Sequence, residues 1–242
     1  MLSIADMELL REAYSAYSEL RPADAMRMIG NPTAEKIVDR ALAGMAEGDR
    51  NQRVLMLRVL QHHPGDVAMR GVLAGLNDDA RRVCAVAIQA SGDFLAYPQI
   101  VARLAAIASD ATVKRKLRRR ALSMLAGDEG RQQGDLTPAA FEALTHLMTL
   151  PANRFSIVFG LARLELTPRV KTLLERFADS TDESESALAQ RALCRERVAH
   201  IDAYADDELL RRRIAENCDI AHGRMYYWLP RTGLPAEDVA TV

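Results

Sequence analysis

The stretch DDARRVCAVAIQASG (residues 78–92) decides the fold class. Asp78 and Asp79 form an acidic turn, and two arginines, a run of small apolar residues and a closing Ser-Gly pair follow. Acidic residues favour the start of a helix and glycine its end, so the stretch predicts a turn followed by one helix. Related openings occur at residues 48–54 (GDRNQRV) and 109–115 (SDATVKR). The chain therefore repeats a turn-and-helix unit.

Apolar residues recur at helical spacing outside these openings and alternate at strand spacing almost nowhere. Those between residues 34 and 45 fall on one helical face, and prolines and glycines mark helix boundaries. The predicted helix pairs are 33–47 with 50–62, 66–76 with 79–91, 98–109 with 111–126, 137–149 with 153–165, and 168–178 with 185–200. Further helices are predicted at 4–20, 22–29 and 206–221.

Residues 78–92, with their acidic turn, Arg-Val step, small apolar residues and closing glycine, resemble a HEAT repeat. The resemblance implies an all-α fold, an α-solenoid of about five HEAT-like antiparallel helix pairs with flanking terminal helices. It would cover residues 1–222, and residues 223–242 would form an aromatic, Pro/Gly-containing C-terminal cap or tail. The fourth pair departs from the pattern, since residues 151–154 lack the aspartate. A compact irregular helical bundle, which shows the same periodicity, stays open.

Composition limits the class of partner. The 242 residues include 32 basic and 33 acidic side chains, a net charge of −1, so the overall field favours neither nucleic acid nor membrane. Three scattered cysteines without a CxxC pair favour a reducing compartment. No signal peptide and no apolar run of about 18 residues is evident. We expect a soluble cytoplasmic protein that does not contact a membrane.

The strongest local feature is the basic run KRKLRRR at residues 114–120. In HEAT-like arrays the second helix of each pair lines the concave side, and the resemblance would place this run there. Three interpretations stay open: a solvated helix face, a site for an acidic protein partner, and a site for nucleic acid. The candidate partner-binding residues of this surface are Arg82, Lys114, Arg115, Arg118 and Arg119, with Arg53, Arg58 and Arg81 as possible extensions.

Two features of the sequence, the Asp79–Arg82 motif and an acidic turn, are expected to have a structural role rather than a binding role. Arg82 and Asp79 are expected to belong to a ladder in which an arginine pairs with the aspartate of a neighbouring repeat. The acidic turn at residues 179–185 is expected to be a solvated loop in which Ser184 or Asp182 caps the next helix.

The C-terminal segment differs in composition from the rest. Tyr226, Tyr227 and Trp228 concentrate a quarter of the aromatic residues, including the single tryptophan. They are predicted either to cap the apolar end of the array or to bind a partner, because Tyr and Trp are favoured at interface hot spots.

No catalytic, metal-ligating or cofactor-binding pattern stands out. The histidines lack ligand spacing, and phosphate loops and nucleophile motifs are missing from the sequence. The sequence therefore predicts a non-enzymatic protein–protein interaction scaffold without a cofactor. The alternative is a nucleic-acid-binding HEAT-like protein, including the DNA glycosylase type, and another enzyme on a HEAT-like frame, such as a lyase, comes third. The oligomeric state stays open.

Overall fold

The computed structural model describes residues 32–63, 65–126 and 136–193, together with residues 4, 5, 7 and 8. Every regular element in these ranges is helical, which confirms the predicted all-α class. The elements are α1 (Pro32–Glu47), α2 (Arg50–Leu60), α3 (Asp66–Leu76), α4 (Arg81–Ala90), a 3-10 turn (Ser91–Phe94), α5 (Pro98–Ser109), α6 (Arg115–Leu125), α7 (Pro138–Leu147), α8 (Pro151–Leu161), α9 (Pro168–Ala178) and α10 (Glu183–Leu193).

Helix boundaries follow the sequence signals closely where proline or aspartate starts the helix. The limits of α3, α5 and α9 match the predictions to the residue. Predicted helices 22–29 and 206–221 and the predicted boundary at residue 222 lie outside the described residues. Of the helix predicted at 4–20, residues 4, 5, 7 and 8 are described and are helical.

The start of α6 differs from the prediction by four residues. We expected a helix from residue 111, but α6 begins at Arg115. The reason is a local turn: Asp110 Oδ1 accepts hydrogen bonds from the Thr112 amide at 2.8 Å and from Thr112 Oγ1 at 2.6 Å. An aspartate that binds the backbone two residues on competes with helix formation. This turn delays the helix and leaves Lys114 as its N-cap.

The chain divides into two compact units, Met1–Ile157 and Val158–Val242. In the first unit, α1 packs on α2, α3 on α4, and α5 on α6, as the predicted pairs require. The first helices of the pairs also contact one another in order, α1 with α3, α3 with α5, and α5 with α7. The second helices do the same, α2 with α4 and α4 with α6. We call α2, α4 and α6 the second-helix row.

Side-chain contacts show that the N-terminal ends of the second-helix row lie on one edge. Arg53 near the start of α2 pairs with Asp78 in the turn before α4, at 2.7 Å between Nε and Oδ2. Arg103 of α5 donates from Nε to the Leu76 carbonyl at 3.2 Å, close to that same turn. The Arg103 charge also lowers the pKa of Asp110, which precedes α6, although hydrogen bonds from Thr112 lower it more. Arg103 therefore contacts the end of α3, where the turn to α4 begins.

In the second unit, α9 packs on α10 through the apolar face that the sequence predicts. The buried residues of α9 are Val170, Leu173, Leu174 and Phe177. The acidic turn before α10 caps that helix, as expected: Asp182 Oδ1 accepts from the amides of Ser184 at 3.0 Å and Glu185 at 3.2 Å. Ser180 Oγ donates to Glu185 Oε2 at 2.7 Å, so the buried carboxylate takes part in the same cap.

Two glycines one turn apart allow α3 to lie close to its neighbours. A Cβ atom on Gly75 would stand 2.8 Å from Leu57 Cδ2 of α2 and 2.9 Å from Ala87 Cβ of α4. A Cβ atom on Gly71 would collide with Cδ1 of Leu60, the far end of a flexible side chain. Contact distances under 3 Å require movement, and Ala87 Cβ moves only with its backbone. Gly75 is therefore the more constrained of the two positions.

We expect Gly75→Ala to destabilise the protein by about 1–3 kcal/mol, because overpacking outweighs the higher helix propensity of alanine. Gly71→Ala serves as the matched control and should lose less, since Leu60 can adopt another rotamer. Urea unfolding of both variants measures the difference in the free energy of unfolding. Equal or greater loss for Gly71→Ala would contradict this account of the packing.

His63 follows α2 and is 5% exposed. Burial lowers the pKa of its imidazole from 6.5 to about 4, with a smaller contribution from the charge of His62. The folded state therefore binds its proton less tightly than the unfolded state does. Its contribution to stability is complete above about pH 6.5 and is lost as pH falls toward 4.

We therefore expect the wild type to lose on the order of 1 kcal/mol of stability more than His63→Gln between about pH 7.5 and pH 5. The measurement is the free energy of unfolding in urea at both pH values. His146→Gln, which alters an exposed histidine, should keep the pH dependence of the wild type. If His63→Gln keeps it too, His63 is not the group that responds to acid.

Candidate functional site

The basic run occupies the first half of α6, which is the less covered half. Lys114, Arg115 and Lys116 are exposed, and Arg118 and Arg119 are half-buried. The buried residues of α6 all lie in its second half: Ala121, Leu122, Met124 and Leu125. Val113 and Leu117, which the helical wheel assigns to the core face, are only half-buried because Val113 precedes the helix and Leu117 lies in its first turn. We call residues 114–120 the basic surface.

The basic surface carries far more positive than negative charge. Residues 110–125 contain six cations and one carboxylate, Asp110, a local net charge of +5. The pKa of Asp110 is lowered by the side-chain and backbone hydrogen bonds from Thr112 and then by the charges of Arg103 and Arg118. Asp110 is thus already engaged. Among the residues that the structure describes, the side chains of Lys114 and Arg115 form no hydrogen bond or ion pair.

The start of α6 is also an unfavourable position for cations. Lys114 is the N-cap, no side chain caps the first turn, and that turn holds no acidic residue. In α2, by contrast, Asp49 accepts from the amides of Asn51 and Gln52, and Gln52 Oε1 accepts from the Asp49 amide at 2.8 Å. Helix N-termini carry partial positive charge, so cations there are destabilising. We therefore expect Lys114, Arg115 and Lys116 to reduce the stability of α6.

One arginine–aspartate contact between helix pairs is present, but it joins Arg53 and Asp78 rather than the predicted Arg82 and Asp79. Arg53 pairs with Asp78 of the next pair and also donates from Nη1 to the Gly48 carbonyl at 2.7 Å. Arg82 instead donates from Nη1 to Asn51 Oδ1 at 3.3 Å, back toward α2. Asp79 neither caps α4 nor holds this pair, because Asp78 accepts the Ala80 amide at 2.8 Å and faces Arg53.

This ladder changes the extent of the candidate surface. The Arg53 and Asp78 side chains are only 25% and 12% exposed, and their charges offset each other. Arg53 therefore does not extend the basic surface, contrary to expectation. Arg82 stays exposed and keeps its charge beside α2. Excess positive charge is thus concentrated at α6 rather than spread evenly along the row.

A groove with a volume of about 620 Å³ runs beside α2, and the sequence did not indicate it. Arg82 and Arg58 provide cations on its wall, Glu8 and Asp49 provide carboxylates, and Asn51 and Gln52 provide amides. The apolar part of its lining comes from Ile4, Met7, Val54 and Leu55. The side chain of Ile4 is 80% exposed. Residues near position 4 meet α2 only in the tertiary structure, so no local signal could have revealed the groove.

The remaining candidates contribute less. Tyr226, Tyr227 and Trp228 lie outside the described residues. Cys84 is buried in α4, as predicted, and burial raises the pKa of its thiol. Among the residues that the structure describes, no cluster of three or more His, Cys, Asp or Glu is arranged to hold a metal ion. Within the same ranges no helix is long and apolar enough to cross a bilayer.

We expect Lys114→Ser to stabilise the protein by about 0.5–1 kcal/mol, because a serine at the N-cap accepts a hydrogen bond from the first turn. The backbone angles of Lys114, φ −56° and ψ 136°, suit such a cap. Lys114→Gln is the matched control, which removes the same charge but is a poor N-cap residue. Thermal and urea unfolding should rank serine above glutamine and glutamine above the wild type. A wild type as stable as Lys114→Ser would show that the missing cap has no cost.

Comparisons with known proteins assign no family to this geometry. No protein-family model matches the chain, and neither a curated protein nor a solved structure matches it. The function proposed for the chain therefore rests on its own residues and their arrangement.

Proposed function

We propose that this chain is a non-enzymatic scaffold that binds another protein on the second-helix surface of a HEAT-like solenoid. The ordered contact of α2 with α4 and of α4 with α6 is the observation that carries the proposal. Helix pairs stacked in this way present a long, rigid surface whose parts keep a constant spacing. The resemblance of residues 78–92 to a HEAT repeat supports the same architecture.

Two parts of this surface supply different kinds of interaction. The groove beside α2 combines apolar side chains with charged side chains of both signs, so it suits a partner segment with both apolar and polar groups. The basic surface on α6 adds charge, which accelerates association with an acidic partner and selects against a basic one. Together they give the scaffold one anchoring region and one region that confers selectivity.

Nucleic-acid binding is the second candidate, and the six cations of residues 114–120 favour it. Asp78, Asp79 and Asp110 lie in the turns along the same edge and would repel a phosphate backbone that extended past α6. Fluorescence anisotropy with labelled DNA and RNA across a range of salt concentrations tests this candidate. Tight binding with a steep salt dependence would favour nucleic acid over protein.

To test the scaffold, a photo-crosslinking amino acid is introduced in place of Arg82, beside the groove. We expect the Arg82 position to crosslink a specific protein in extracts from the source cells. The same probe in place of Arg70, an exposed residue of α3 in the first-helix row, is the matched control and should not capture that protein. Mass spectrometry of the crosslinked bands identifies the partner.

The captured protein is then purified and titrated against the wild type and Arg82→Glu. A partner of this surface should bind the wild type and bind Arg82→Glu at least several-fold more weakly. Equal crosslinking from Arg70 and Arg82, or capture of nucleic acid alone, would contradict the proposal.

A further inference from the structure

We draw no further inference here: the strongest candidate, the groove beside α2 with the exposed Ile4 on its wall, is lined by charged side chains of both signs, and nothing in the structure shows what covers it.

Discussion

Every α-helix ends with backbone amides and carbonyls that have no partner within the helix, and the first unit is organised by how it satisfies them. Some ends are satisfied locally, as in the capping box of α2. Other helix ends are satisfied by a side chain from the next helix pair. Arg103 of α5 donates to the Leu76 carbonyl at the end of α3, and the buried Asn153 of α8 donates from Nδ2 to the Ala108 carbonyl near the end of α5, at 3.5 Å.

These long-range hydrogen bonds also determine where charge accumulates. Asp78 accepts the Ala80 amide in the turn before α4 and pairs with Arg53, so one carboxylate serves both this turn and a contact between helix pairs. The corresponding aspartate before α6, Asp110, accepts the amide two residues on in the same way, from Thr112, and lies at the surface.

The same organisation supports the binding function that we propose. Close packing through Gly71 and Gly75 holds α3 against α2 and α4 and leaves little freedom between pairs. A rigid row of helices keeps surface groups at constant distances, which lowers the entropy lost when a partner binds. Buried groups such as Cys84 and His63 belong to the core, whereas Arg82 and the basic surface remain accessible to another molecule.

The sequence by itself determined the helices, because periodic apolar residues, prolines and capping aspartates act within a few positions of one another. It also located the basic run at residues 114–120 and the cap formed by Asp182. Tertiary structure decided which charges offset each other, since the Arg53–Asp78 pair joins residues 25 positions apart. It also created the groove beside α2, where residues near position 4 meet residues near position 54. Local patterns predict elements, but charge pairing and concave surfaces depend on packing between elements that are distant in sequence.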